Sequence, residues 1–410
     1  MDAANKLANA MTEIDAGIRD ISWRELMDRI EVVHGVVDPD RATVYAIVHN
    51  EMFFLPALLE HYRTIGATQF LILDDNSTDG TSAFLARQPD CVILKTDLGF
   101  GDKVRIAFDG NATAIDRASV FMKSAIPKKY LADRYAIYVD ADEFLVLPPG
   151  VGSLQELFAA LAANDIDCIA ASLVDFYPAN VSDLDRDEHG LTAKDLFQRY
   201  PYFDACEIVE MRKGQPPARR LHKGASNRLF REYGIKSPPT SLIFLPSWLL
   251  DALPFKSARG AVLKTPIVRW TNEIYYQDSH RANVAPPSDR LLTIAHFKFT
   301  SDFPRRIRLA QVRKTYARAS RKYVYYERLL KRISARTGSF LGRESVAFSD
   351  GNDFVAAGLM KWPAETSRPE RAASPIGTAP PATGNSSENK SLDVGATATS
   401  RRPPWISSAF

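Results

Sequence analysis

Cysteine is scarce in this chain: three among 410 residues, Cys91, Cys168 and Cys206, far apart and without a CxxC spacing. An odd, low count excludes a disulfide framework and a zinc knuckle and suits a reducing compartment. Buried structural thiols are the expected reading of all three. Long apolar runs are also missing. The longest, Ser241 to Phe255, is interrupted by Pro246, Asp251 and Pro254, too short and too broken to span a bilayer. The opening residues carry charges every few positions and no apolar h-region, so they do not read as a secretory signal. The expectation is a cytoplasmic protein, with a peripheral contact at the inner face of a membrane left open. No charge of one sign dominates either: 52 Lys and Arg against 49 Asp and Glu leave a net charge of +3, so bulk charge offers no argument for a nucleic-acid partner. What is present is an ordinary globular balance, 45% hydrophobic and 25% charged, in a chain long enough to bury a sizeable core without staples.

Hydrophobic periodicity divides the chain. Residues 1–40 read as a helical leader, with Leu7, Met11, Ile14 and Ile18 at helical spacing. From Thr43 short buried-type strands alternate with helices. Thr43 to Val48 is a strand, Phe53 to Ile65 a helix stopped by Gly66, and Gln69 to Leu73 a second strand. A turn then caps a helix running to Gln88. Cys91 to Leu94 is a third strand, Ala112 to Ala125 a helix, and Tyr135 to Val139 a fourth strand. Leu154 to Ala163 reads as a helix, Cys168 to Val174 as a strand, 178–240 as polar loops and 261–300 as β-like. A long basic helix follows from Pro304 to about Ser334. Strands alternating with helices predict an α/β fold with a mostly parallel central sheet flanked by helices and with helical N- and C-terminal extensions. The expected parts are a catalytic domain over 41–300 (a nucleotide-binding half 41–150 and an acceptor half 151–300), a helical region 301–362 and a disordered tail 363–410, rich in Pro, Ser, Thr and Ala.

In parallel sheets, ligands sit outside the carboxyl ends of the strands. Here those ends carry His49-Asn50-Glu51, Asp74-Asp75 and Asp140-Ala141-Asp142. Carboxylates at i and i+2 of an extended segment point to one side, so Asp140 and Asp142 can approach one divalent cation. Magnesium and manganese favour oxygen ligands and bridge carboxylates to substrate phosphates. A bare DxD triplet also occurs in surface turns; a buried strand before it and Glu143-Phe144-Leu145 after it strengthen the metal reading. In Asp74 to Thr81, helix capping explains Ser77, Thr78 and Asp79 but needs no pair of carboxylates before them.

These residues resemble a known family. Val48-His49-Asn50-Glu51, Leu58-Leu59-Glu60-His61-Tyr62, Gly66 and Leu73-Asp74-Asp75-Asn76-Ser77-Thr78-Asp79-Gly80-Thr81 look like the start of family 2 glycosyltransferases. Asp140-Ala141-Asp142-Glu143-Phe144-Leu145 looks like their DxD motif in the DxDEF form of one bacterial branch. Asp175-Phe176-Tyr177-Pro178, Asn227-Arg228-Leu229-Phe230 and His296-Phe297-Lys298-Phe299 resemble that branch more weakly. The similarity covers roughly 43–360. It implies a GT-A fold, a nucleotide-sugar donor, a glycan, lipid-linked or small-molecule acceptor, and Mn2+ or Mg2+. It further implies that Asp75 contacts the nucleoside, that Asn50 and Glu51 lie at the nucleotide with His49 and Asp74 beside them, and that Asp142, with Asp140, serves metal and diphosphate. His49 departs from the hydrophobic or hydroxyl residue common there, and the acidic motif that supplies the base of the processive members is not evident.

His296 follows a strand-like run. A lone histidine there suits a packed core, but neutral imidazole is also a manganese ligand, and some enzymes of the GT-A type use a late histidine as third ligand. The expected metal set is Asp140, Asp142 and His296, with Lys298 near the diphosphate and His280 a weaker contact. Inverting transfer needs a carboxylate to take the acceptor's proton; Asp175 and Asp204, each in an aromatic setting, are the catalytic candidates, against the plainer reading of a loop acid or cap. The cluster Arg212 to Arg228 reads as a wet basic face, with phosphate or a phosphorylated acceptor as its sharper alternative, and the helix Arg305 to Lys322 as a packing helix with a wet basic face, with attraction to anionic lipid or polysaccharide as its own. Rival chemistries fit less well. A phosphatase with an aspartate nucleophile carries a hydroxyl residue where Phe144 stands, and a nucleotidyltransferase carries a Gly-rich basic loop where His49-Asn50-Glu51-Met52 stands. A catalytically inactive carbohydrate-binding or membrane-surface scaffold on the same fold is the alternative that intact Asp75, Asp140 and Asp142 argue against.

Overall fold

Thr43–Val48 and Gln69–Asp74 are buried at every position, as strands covered on both faces must be. They belong to a nine-stranded sheet in a computed structural model that describes residues 17–108, 113–220, 222–237, 255–313 and 321–363. In chain order its strands are β1 (Glu31–His34), β2 (Thr43–Val48), β3 (Gln69–Asp74), β4 (Cys91–Lys95), β5 (Tyr135–Tyr138), β6 (Glu143–Val146), β7 (Cys168–Asp175), β8 (Leu263–Arg269) and β9 (Leu292–His296). Their spatial order is β1-β4-β3-β2-β5-β8-β7-β9-β6.

The sheet is mixed, which corrects the mostly parallel expectation. The pairs β2–β3, β3–β4, β2–β5 and β7–β9 are parallel. The pairs β1–β4, β5–β8, β8–β7 and β9–β6 are antiparallel. Because β8 reverses between β5 and β7, the strands β2, β3, β4, β5, β7 and β9 all point one way, and their carboxyl ends share one edge.

Successive residues of β2 feed different cores. Val44, Ala46 and Val48 pack on one face with α1 (Leu55–Thr64) and α3 (Leu154–Ala163) through Leu58, Tyr62, Leu157 and Leu161. Tyr45 and Ile47 pack on the other with α2 (Ala118–Tyr130) through Phe121, Met122 and Ala125. This is the period of two expected of a strand between layers. A third cluster joins α4 (Ala225–Glu232), α5 (Phe303–Arg313) and α6 (Arg321–Arg336) through Phe230, Phe303, Ile307, Tyr326 and Leu329.

Four further expectations change, the first being the polar loops of 178–240, whose described residues hold helices Ala193–Arg199 and Ala225–Glu232 and a strand Tyr202–Asp204. The leader holds a strand Arg19–Ser22, a short helix Trp23–Asp28 and β1; residues 1–16, which carry most of its helical spacing, lie outside the described residues. The helix expected from Ala112 starts at Ala118, after a strand Thr113–Arg117 paired with Lys103–Ala107; alternating Ala114 and Asp116 against Ile115 suit a strand better than a helical stripe. The basic helix is seen as α5 and α6, with 314–320 outside the described residues, as are 238–254 and 364–410, which hold most of the apolar run and the tail. The described residues up to Trp362 form one compact unit. Among the described residues no helix is long and apolar enough to cross a membrane.

Candidate active site

The shared edge opens on a cleft of about 300 Å³, within the size range of small-molecule sites. His49, Asn50 and Glu51 leave β2, Asp75 leaves β3, Asp140 and Asp142 leave β5, and His296 ends β9; all of them line it, as does Lys298. Four strand ends separated widely in sequence therefore meet; the sequence expects three of them, after β2, β3 and β5, at one edge, and the end of β9 joins them.

The loop after β2 is held by the turn after β3. Asn50 adopts φ 56°, a left-handed conformation that Asn tolerates better than most residues. Its backbone N–H donates to Ser77 Oγ at 2.9 Å and its Oδ1 accepts from Thr78 N at 2.6 Å. Met52 N donates to Asp79 Oδ2 at 3.1 Å, and Glu51 N to Thr81 Oγ1 at 3.3 Å. Ser77, Thr78 and Asp79 thus fasten the neighbouring loop; the helix that follows has Gly80 at its N-cap and no side-chain cap. His49 Nδ1 donates to the Asp75 carbonyl at 2.5 Å, and its Nε2, in the cleft wall, is buried with no hydrogen-bond partner among the described residues. Burial raises the Glu51 carboxyl to about 7, with Arg306 opposing.

The two acids of the DxD segment diverge. Asp140, 42% exposed, accepts from Tyr138 OH at 2.7 Å and lies 3.6 Å from Lys264 Nζ. Asp142, 7% exposed, receives Arg306 at 2.6 Å on Oδ2 and has His296 Nε2 at 3.4 Å from the same oxygen. Burial works against its charge, but Arg306 and then His296 hold its carboxyl well below the usual range. Burial and Lys298 oppose charge on His296, yet the Asp142 and Asp175 carboxylates keep its pKa above the ordinary value.

Three expected site residues are not brought to the cleft. Asp74 is buried under β3's end, bound to Lys95 at 2.8 Å, to Ser77 N at 3.0 Å and to Ser82; its carboxylate organises the turn instead of facing a donor. Asp204 forms a two-toothed ion pair with Arg228, at 2.8 and 3.0 Å, and accepts from Tyr177 OH at 2.5 Å, with 1% of its side chain exposed. Its aromatic neighbour Phe203 stacks on Phe176 in the core and meets no cleft. Asp175 stands one layer back: Oδ1 accepts from His296 Nδ1 at 2.7 Å, and Oδ2 takes the Ser226 backbone N–H at 3.2 Å and the Ser226 hydroxyl. Neither Asp175 nor Asp204 is placed to receive a proton from an acceptor in the cleft.

Other lining residues carry no site signal in the sequence. Arg305 and Arg306 come from α5, and Arg117 and Lys123 from the start of α2. Arg117 donates to Ser279 Oγ at 3.2 Å and Lys123 to the Ser279 carbonyl at 3.1 Å; burial lowers the Lys123 amine to about 8, with Asp140 opposing. Lys322, Tyr323 and Tyr326 add a wall from α6. His280, also lining, is held well below its usual value by burial and then by Lys123 and Lys264.

The donor set partly suits a divalent cation. Asp142 Oδ2 and His296 Nε2, 3.4 Å apart, are close to the spacing of adjacent ligands around an ion with bonds of about 2.1 Å. The carboxylate behind His296 supplies the hydrogen bond that commonly orients a ligating imidazole. Asp140, engaged by Tyr138 and facing Lys264, does not complete a three-ligand group with them; among the described residues no His, Cys, Asp or Glu trio is arranged for a metal ion. No protein-family model and no curated protein gives a significant match to this chain.

Proposed function

We propose that this chain is a glycosyltransferase of the GT-A type, moving a sugar from a nucleotide-sugar to a glycan, lipid-linked or small-molecule acceptor in the cytoplasm, with Mn2+ or Mg2+. The observation that carries the reading is the meeting of His49, Asp75, Asp142, His296 and Lys298 from separate strand ends in one cleft. Asp75 and the His49 ring, bound to each other through the Asp75 carbonyl, form the nucleoside end, where carboxylate and imidazole can bond to base or ribose. Asp142 and His296 are the residues that would hold the cation, which when bound supplies positive charge beside the diphosphate. Asp175 is a positioning residue: it fixes the His296 ring so that Nε2 faces Asp142. Lys298 adds a fixed charge for the leaving group, steadied by the Tyr326 ring 5.4 Å away. Helices α5 and α6 also line the cleft and limit water at the reacting bond.

A panel of nucleotide-sugars assayed by thermal shift with and without Mn2+ tests the reading. A uridine or guanosine diphosphate-sugar is expected to raise the Tm, and Asp142→Ala to abolish the metal-dependent part of the rise. A panel in which no nucleotide-sugar is bound or hydrolysed with Mn2+ would leave the scaffold alternative standing.

A further inference from the structure

Arg306 enters the cleft from the first turn of α5, with its side chain 15% exposed. One guanidinium nitrogen lies 2.6 Å from Asp142 Oδ2 and the other 3.4 Å from Glu51 Oε1. The same Oδ2 lies 3.4 Å from His296 Nε2, which also has Lys298 Nζ at 3.4 Å. A guanidinium and an imidazole therefore converge on one carboxylate oxygen, the oxygen a divalent ion shared by Asp142 and His296 would take. Two cations cannot hold that position together: the contact is already at hydrogen-bond distance, and like charges repel strongly where water is scarce. Its neighbour Arg305 is anchored elsewhere, on Asp302 and on the Asn50 carbonyl at 3.2 Å, so it does not duplicate the contact. The Arg306 guanidinium lies 5.4 Å from the Phe54 ring centroid, an apolar rest for a planar group as it turns.

We propose that Arg306 and a divalent cation exchange at Asp142: the ion displaces the guanidinium, which then binds the diphosphate oxygens of the donor. This rests on the glycosyltransferase reading above. The chemistry suits both partners. A guanidinium fork matches two oxygens of a carboxylate or of a phosphate, so Arg306 exchanges one anion for another without being left bare. In the resting cleft it neutralises Asp142 and Glu51; in the loaded cleft the ion takes Asp142 and the substrate takes Arg306. Metal and donor would then bind with positive coupling through one side chain.

The test uses the full chain, Mn2+ alone followed by electron paramagnetic resonance, and inorganic pyrophosphate alone followed by calorimetry. Arg306→Gln is expected to bind Mn2+ about tenfold tighter and pyrophosphate about tenfold weaker, the scale of losing a partly buried charge partner. Opposite signs are the mark of exchange; a variant in which both affinities fall, or neither moves, overturns it. Arg308→Gln removes the same charge from an exposed position on the same helix and is expected to change either affinity by less than about threefold, since exposed charges are screened. Equal effects from both variants would assign the result to the helix's general field and overturn the contact. If Arg306→Gln does not fold, Asp142→Asn decides: it frees Arg306, so metal-free pyrophosphate binding should tighten, and unchanged or weaker binding overturns the exchange. The nucleotide-sugar panel is read separately. Opposite shifts in Arg306→Gln with a silent panel keep the exchange and discard sugar transfer, whereas a responsive panel with parallel shifts does the reverse.

Discussion

The Nδ1 of His296 donates to Asp175 across 2.7 Å, from the end of β9 to the end of β7, two strands paired in parallel with these residues as register partners. The imidazole is thereby fixed by a carboxylate that never meets solvent in the cleft. Asp175→Asn is expected to lower Mn2+ affinity about ten- to hundredfold, as loss of a metal ligand's outer partner does, while leaving uridine binding near Asp75 unchanged. Paired titrations of Mn2+ and uridine check this; equal losses of both would mean that Asp175 merely supports the fold.

Asp204 and Arg228 test a different role. With 1% and 4% of their side chains exposed, removing one partner strands a buried charge. Arg228→Ala is expected to cost about 3–5 kcal/mol of stability, whereas replacing both residues by apolar ones of similar volume should recover much of it. Denaturant unfolding distinguishes these outcomes. A double variant as weak as the single one would show that the Arg228 bonds to the Phe340 carbonyl and to Glu232 matter more than the pair.

His61 gives a stability dependence on pH. Burial lowers its pKa from 6.5 to about 4, while Nε2 donates to the Leu145 carbonyl at 2.8 Å. The folded pKa lies below the unfolded one, so the unfolded chain takes up the proton first. The contribution is complete above pH 6.5 and is lost as pH falls through 4, about 3 kcal/mol in all. His61→Gln should flatten that part of the curve in denaturant titrations between pH 4 and 7; an unaltered slope would assign the acid sensitivity elsewhere.

Asn50 combines a left-handed backbone with a side chain that accepts from Thr78. Asn50→Gly keeps the backbone freedom and loses only the bond, whereas Asn50→Ala loses the bond and strains the turn, at about 1 kcal/mol more. Unfolding curves of the two should therefore separate, with Gly the more stable. The reverse order would count against strain as the cause.

Legibility followed sequence distance. β2, β3 and β4 were plain because strands buried on both faces are short apolar runs bounded by turn residues, and their parallel pairing followed from the helices between them. The reversal at β8 was not plain, since apolar periodicity carries no direction. β1 was hidden because Val32 and Val33 sit among charges that suit a helix equally well. In the cleft, Asp75, Asp142 and His296 could be named from strand ends, but the partner of Asp142 could not: Arg306 is 164 residues away, in a run of basic residues that locally resembles a wet helix face. Asp204 misled for the opposite reason. Aromatic neighbours suit a sugar platform and a packed core alike, and only tertiary contacts decide between them.

The partnership of β7 with β9 has a genetic corollary. Alternate residues of a strand face opposite sides of the sheet, so inserting or deleting a single residue within Leu292–His296 would carry the imidazole to the far layer while most of the apolar contacts re-formed. Substitutions along this strand should therefore be borne more readily than changes in its length.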